Sequence, residues 1–177
     1  MRYLFLLLAI CFFTTQEMRA NTGPKDSITV YLFLHDACVI CQNYTLKLNE
    51  LHQTYADENL QFVGVFPNFS SKPKDIEAFR KKYSIPFELK TDYFKSLSQK
   101  LGAKVTPEVI IYSHEKEQIL YRGRIDNTYF RVGKRRSITT TSELEDVLKA
   151  IQNNQSIAIK ETEAVGCVIN YQEGPKI

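Results

Sequence analysis

Cys38-Val39-Ile40-Cys41 sets two thiols three residues apart. On a helix that is about one turn, the separation at which a pair of cysteines can close a disulfide. The apolar run Ile28-Thr29-Val30-Tyr31-Leu32-Phe33-Leu34 stands before the pair, and an amphipathic helical pattern follows it. A thiol at a helix start meets the positive end of the helix dipole and free backbone N–H groups, and both favour the reactive thiolate. The chemistry open to such a pair is thiol–disulfide exchange or thiolate ligation of a soft metal.

The elements that must position the pair can be followed along the chain. Residues 28–34 read as a buried strand. From Cys38 to about Ala56, Cys41, Tyr44, Leu48, Leu51 and Tyr55 recur at intervals of three and four and predict one helical face. Leu60 to Phe66 is a second strand and Pro67 to Ser71 a loop. Pro73 suits the first turn of a helix to about Tyr83. Phe87 to Leu89 is a short extended piece. Tyr93 to Leu101 is a short helix with Gly102 at its C-cap. Glu108–Ser113 and Gln118–Arg122 predict a hairpin joined by the polar His114-Glu115-Lys116-Glu117. Ser142 and Glu145 predict a capping box before a last helix whose stripe is Leu144, Val147, Leu148 and Ile151. This order is α/β: a central mixed β-sheet flanked by helices, in a single domain with a C-terminal tail. A right-handed crossover makes the first two strands parallel, and the Cys38 loop lies at the carboxyl end of the first, where ligands bind in such sheets.

The 177 residues suit one domain, and a net charge of +3 points to no polyanionic partner, so no nucleic acid is expected. Residues 1–20 read as a signal peptide: Arg2, then the uncharged apolar stretch Tyr3 to Phe13, too short to span a bilayer comfortably. Export to the periplasm or extracellular space is expected, with membrane contact only through an uncleaved or lipidated N-terminus (lipid on Cys11). In an oxidising compartment Cys38, Cys41 and Cys167 are the mature cysteines, too few for a disulfide scaffold and odd in number. Asn43, Asn68 and Asn154 open glycosylation triplets, of consequence only in a eukaryotic secretory pathway. Lys134-Arg135-Arg136 reads as a solvated loop.

Three segments together resemble the thioredoxin superfamily, in its redoxin or alkyl-hydroperoxide-reductase-like branch. They are the strand leading into Cys38-Val39-Ile40-Cys41, the insert with Phe79 and Tyr83-Ser84-Ile85-Pro86-Phe87, and Leu101-Gly102-Ala103-Lys104-Val105-Thr106-Pro107-Glu108-Val109. The likeness covers residues 28–153 and implies a thioredoxin-like fold with residues 154–177 as its tail. It implies a cis peptide bond at Pro107, with Thr106 beside the cysteines and able to pair with the backbone of an extended substrate segment. It also implies that Cys38 is the nucleophile and Cys41 the resolving thiol. The activity expected is thiol–disulfide exchange with protein partners, needing an upstream thiol electron donor and no cofactor beyond the Cys38–Cys41 disulfide; the protein is expected to be a monomer.

Departures from the family pattern narrow this. Ala37 stands where many members have tryptophan, and Leu32 where thioredoxin has a buried acid, so proton transfer at Cys41 needs another group. Glu108 is the candidate, against the plain reading of a solvated strand residue. Val39 and Ile40 lend the thiolate no charge or side-chain donor. A Cys38 pKa only moderately below about 8.5, and a reductant rather than an oxidant, are therefore expected. The peroxiredoxin pattern Pro-x-x-x-Thr-x-x-Cys fails at Tyr31 and His35, so peroxidase activity is not expected.

Glu163-Ala164-Val165-Gly166-Cys167-Val168-Ile169 resembles a tail of some exported bacterial redoxin-like proteins. Gly166 would let the backbone turn tightly beside the thiol. Cys167 has three readings: a free thiol in a mobile tail, a third redox thiol folding back toward Cys38, or a third metal ligand with Cys38 and Cys41 for Cu(I) or Zn. Copper binding, as in a metallochaperone, is the alternative function. Sco-type copper chaperones share the fold but use a longer cysteine spacing and a histidine after the hairpin, absent from Tyr121–Asn127. His52 and His114 are expected to face solvent.

Overall fold

The computed structural model describes residues 26–172. The signal segment 1–20 and most of the polar lead-in lie outside the described residues. In chain order the elements are β1 Ile28–Phe33, α1 Val39–Tyr55, β2 Leu60–Phe66, α2 Pro73–Tyr83, β3 Glu88–Thr91, α3 Ser96–Leu101, β4 Val105–Thr106, β5 Glu108–Ser113, β6 Gln118–Gly123, β7 Tyr129–Arg131, β8 Lys134–Arg135, α4 Glu143–Gln152 and β9 Cys167–Val168. No helix among the described residues is long and apolar enough to cross a membrane.

Five strands form one mixed sheet in the order β3-β2-β1-β5-β6. β1 runs parallel to β2 and antiparallel to β5. β1 is buried at all six positions, and its alternation splits it between two cores. Val30 and Leu32 face one layer with Leu48 and Leu51 of α1, Ile76 and Phe79 of α2, and Leu144 and Leu148 of α4. Tyr31 and Phe33 face the other, with Leu101 at the end of α3, and Ile169 from the tail. Three helices thus cover one face of the sheet. Gly102 closes α3 at φ 71°, its N–H bonded to the carbonyls of Ser98 and Gln99.

The capping box expected at α4 does not form. Ser142 is the N-cap but makes no side-chain cap bond. Glu143 behind it is 3% exposed, pairing with Arg124 and accepting from Thr141 Oγ1 at 2.7 Å. Lys134-Arg135 is exposed but lies in the small β7–β8 hairpin.

The tail is part of the fold, not a mobile appendage. Lys160 to Thr162 runs along the outer edge of β6, where Arg122 N–H donates to Lys160 O and Thr162 N–H to Arg122 O, both at 2.9 Å. The chain then crosses the sheet edge. β9 pairs antiparallel with β4, Val168 opposite Val105 and Cys167 opposite Thr106. Ile169 N–H donates to Lys104 O at 2.9 Å and its side chain is 2% exposed. Burying an isoleucine side chain this completely is worth about 1.5–3 kcal/mol, which holds the tail end down.

Candidate active site

Cys38 is the N-cap of α1, in extended conformation. Its N–H donates to His35 O and its carbonyl accepts from Gln42 N–H, both at 3.0 Å, which fixes the chain where β1 passes into α1. Gln42 Nε2 reaches back to Asp36 O at 2.7 Å, and Ser71 Oγ donates to the Asp36 carboxylate, so the loop before the thiol is tied on both sides. Cys38 is 4% exposed and Cys41, one turn on, is fully buried.

Three sulfur atoms converge. Cys167 Sγ lies 3.4 Å from Cys38 Sγ, and Cys38 Sγ lies 3.5 Å from the Thr106 carbonyl oxygen. All three thiols are unlinked, and Cys167 alone is exposed. The Thr106–Pro107 peptide bond is cis. Thr106 does pair in strand fashion, but with the chain's own tail: besides the β4–β9 register, Thr106 Oγ1 donates to Cys167 O at 3.4 Å.

The Cys38 thiol is pulled down to about 5. The Cys41 side chain contributes most; burial opposes, and the backbone N–H groups of Cys41 and Ile40 and the Cys167 side chain add to the lowering. This corrects the expectation of a merely moderate shift: the apolar Val39 and Ile40 side chains give nothing, but neighbouring thiols and backbone N–H groups do. Cys41 is pushed well up, first by burial and then by its bond to Cys38. Cys167 is raised to about 11 for the same two reasons. One sulfur carries the negative charge, and the other two hold their protons beside it.

Glu108 is neither solvated nor shown in contact with a thiol. It is 4% exposed, and its Oε2 accepts from the backbone N–H groups of Lys104 at 2.5 Å and Val105 at 3.3 Å. Alternation along β5 sets Val109 in the core layer shared with Cys38 and Cys41, and Glu108 faces the opposite way. Burial raises its carboxyl against those two N–H donors. Glu108 shapes the turn that carries Thr106. His52 is half-buried against the rings of Phe62 and Phe87, at centroid distances of 5.4 and 5.6 Å, rather than facing solvent. His114 is exposed and bonds Thr29 Oγ1 at 2.8 Å.

The chain bends at Gly166, as expected, and the glycine has a second role. A Cβ there would sit 2.1 Å from the Thr106 carbonyl oxygen, so the missing side chain lets the tail lie directly on the strand before the cis bond. Sequence reading missed β4 and β9. The signal for β9 was the cluster of strand formers Val165, Val168 and Ile169 in the second half of the tail.

Comparison with solved structures places the fold. An uncharacterized conserved protein from Geobacillus kaustophilus matches at TM-score 0.72 and 21% identity, over 86% of this chain and 81% of its own. A hypothetical protein from Sinorhizobium meliloti matches at TM-score 0.70 and 21% identity, over 82% and 80%. A secreted Mycobacterium tuberculosis disulfide oxidoreductase, described as homologous to E. coli DsbE, matches at TM-score 0.51 and 15% identity, over 70% and 81%. Such identities speak to the fold alone, and the fold is thioredoxin-like. Curated proteins give no match. The model of the AhpC/TSA family matches residues 11–139, from before β1 to the segment preceding α4. That span carries the sheet, the cysteine pair and the Thr106–Pro107 turn, and the chain belongs to the AhpC/TSA family.

Proposed function

We propose that the protein is a thiol–disulfide oxidoreductase acting on protein disulfides through Cys38 and Cys41. The observation that supports this most is the Cys38 sulfur at the start of α1, one turn from a fully buried Cys41, a setting that favours the thiolate at Cys38 and the thiol at Cys41. The Cys38 thiolate attacks a partner disulfide, forming a mixed disulfide and expelling one partner thiolate. Cys41 gives its proton to that departing thiolate or to water and attacks Cys38 Sγ. The second partner thiol leaves, and Cys38–Cys41 is closed as a disulfide. Capture of the Cys38 charge in the mixed disulfide removes one of the groups that keeps Cys41 protonated. An upstream thiol donor resets the pair. Glu108 is given no step in this sequence: its Oε2 accepts from the N–H groups of Lys104 and Val105. Peroxide is not the substrate proposed, since neither the threonine nor the proline of the peroxidase pattern is present.

The direction expected from sequence is reduction of partner disulfides. A stabilised Cys38 thiolate favours the dithiol form and moves the pair toward the oxidising side of that expectation. A potential near about −270 mV identifies a reductant and one near about −120 mV an oxidant. Export behind a cleaved signal at residues 1–20 belongs to the same proposal, and N-terminal sequencing of the mature protein tests it.

The decisive experiment is trapping with Cys41→Ser in the full chain. Partner proteins are expected to stay linked to Cys38, or to a thiol in contact with it, and to be released by dithiothreitol. No linked partner under either oxidising or reducing growth sinks the reading.

A copper-binding function using Cys38, Cys41 and Cys167 is the second reading, favoured by the 3.4 Å approach of Cys167 to Cys38. Against it, no group of three His, Cys, Asp or Glu side chains among the described residues is arranged to hold a metal ion. Stoichiometric Cu(I) binding by the reduced protein that blocks disulfide exchange and is lost in Cys167→Ser would reverse the ranking.

A further inference from the structure

Partner access to Cys38 is obstructed by the chain itself. Cys38 is 4% exposed and Cys41 fully buried, and the strand that a partner's backbone would join, β4, is already paired with β9. The pairing register is what matters. Cys167 stands opposite Thr106, the residue before the cis bond, and its sulfur falls 3.4 Å from Cys38 Sγ. The tail is therefore bound as an extended substrate would be, with a cysteine at the reacting position. Cys167 is exposed, and Val39 and Val168, each next in sequence to one of the two sulfurs, are 65% and 75% exposed.

We propose that Cys167 is the thiol through which the buried pair meets its partner. The inference rests on the exchange reading above and changes which sulfur the partner touches. Starting from the Cys38–Cys41 disulfide, the Cys167 thiolate attacks Cys38 Sγ. The Cys38–Cys167 bond forms, the Cys38–Cys41 bond breaks, and Cys41 leaves and takes up the proton that Cys167 released. The protein's oxidation state is unchanged; the disulfide has moved outward. A partner thiolate then attacks the exposed Cys167 Sγ and expels the Cys38 thiolate. The partner's second thiol closes its own disulfide and releases Cys167, so two electrons pass from the partner dithiol to the protein. Run backward, the same steps reduce a partner disulfide. Cys167 is the exposed sulfur of the Cys38–Cys167 bond and Cys38 the buried one, which directs attack to Cys167. The partner class that fits is a protein with an exposed cysteine beside apolar residues, matched to Val39 and Val168.

Three variants of the full chain test this. Cys41→Ser treated with oxidised glutathione is expected to lose two hydrogens in intact mass and to yield the Cys38 peptide linked to the Cys167 peptide. Gly166→Ala keeps every thiol but sets a Cβ against the Thr106 carbonyl, lifting the tail. In the Cys41→Ser background it is expected to lower that linkage at least about tenfold, because the tethered thiol loses its effective concentration. A cysteine-containing apolar peptide added to the oxidised wild-type protein is expected to form its adduct on Cys167. Adducts on Cys38 with Cys167 free, or a linkage insensitive to Gly166→Ala, overturn the relay. Cys167→Ser separates the two levels: if it still closes Cys38–Cys41 in glutathione buffer while Cys41→Ser shows no Cys38–Cys167 linkage, the relay alone fails. If no variant forms any internal disulfide, the exchange reading fails with it.

Discussion

Cys41 and Cys167 stand beside the same sulfur and arrive there by opposite routes. Cys41 is three residues from Cys38, carried by the pitch of α1 and locked by the core layer of Tyr44, Leu48 and Leu51. Cys167 is 129 residues away and is brought in by a two-residue strand, a glycine that permits close approach and one buried isoleucine. The first neighbour cannot leave without unfolding the helix. The second can leave by breaking the few hydrogen bonds of a two-stranded pairing and exposing Ile169, because so short a pairing is a small cooperative unit. A fixed thiol and a releasable thiol around one nucleophile give the site a permanent resolving partner and a replaceable one.

The sharpest way to break the comparison is to remove the sulfur both share. Cys38→Ser is expected to lower disulfide exchange by on the order of 10³-fold or more, as loss of a nucleophile does. Cys41 and Cys167 should then remain unlinked under mild oxidant. Peptide mapping that finds a Cys41–Cys167 disulfide would mean that the tail reaches deeper than its docked position allows.

Stability separates the two regions next. Leu48→Ala, at a fully buried position of α1, is expected to cost about 2–5 kcal/mol in a denaturant melt. Ile169→Ala removes an equally buried branch, but the tail can detach locally, so most of the global melt should be kept while limited proteolysis after residue 152 accelerates. Equal losses in the two melts would show that the tail unfolds only with the domain.

The two thiols should also differ in how strongly they hold the Cys38 charge. Cys41→Ser is expected to raise the Cys38 pKa from about 5 by more than Cys167→Ser does, since the Cys41 side chain is the largest contributor and Cys167 a lesser one. Thiolate absorbance against pH in the two variants gives the order directly; a larger shift in Cys167→Ser would reverse it.

The same thiolate makes stability depend on pH. Cys38 has a folded value of about 5 and an unfolded value near about 8.5. Between them the folded protein carries a thiolate while the unfolded chain holds a proton, so the unfolded state binds more protons and stability rises with pH. Relative to Cys38→Ser, the reduced protein is expected to gain stability from pH 5 toward 8.5 and to lose that advantage as pH falls through 5. Parallel melts of the two proteins across this range, with no divergence, would show that the Cys38 thiolate is not favoured by folding.

Much of this comparison was legible in the sequence, and unevenly. α2 runs over the residues Pro73–Tyr83 that its proline and its Ile76, Phe79 and Tyr83 spacing predict, and β1 and β2 fall within a residue of their apolar runs. Those elements carry their own periodicity. β4, β9 and the β7–β8 pair are two or three residues long, too short to show a period, and exist only through partners elsewhere in the chain. The plain reading of Glu108 as a solvated residue failed because exposure is the usual state of glutamate, whereas here two backbone N–H groups at the turn before Pro107 bond its carboxylate. The expectation of a moderate Cys38 shift fell short for a related reason: the backbone N–H groups at the helix start could be foreseen, but the side chains of Cys41 and of the distant Cys167 also act on the sulfur.

The pairing of β9 with β4 also sets a threshold for anything that competes with it. A segment tethered this closely to its docking strand acts as a ligand present at on the order of millimolar concentration. A free peptide with the same intrinsic affinity for β4 would half-displace it only at a similar concentration. Passing encounters are thereby filtered out, and a partner is retained either by binding the edge much more tightly than the tail does or by reacting with the sulfur the tail presents.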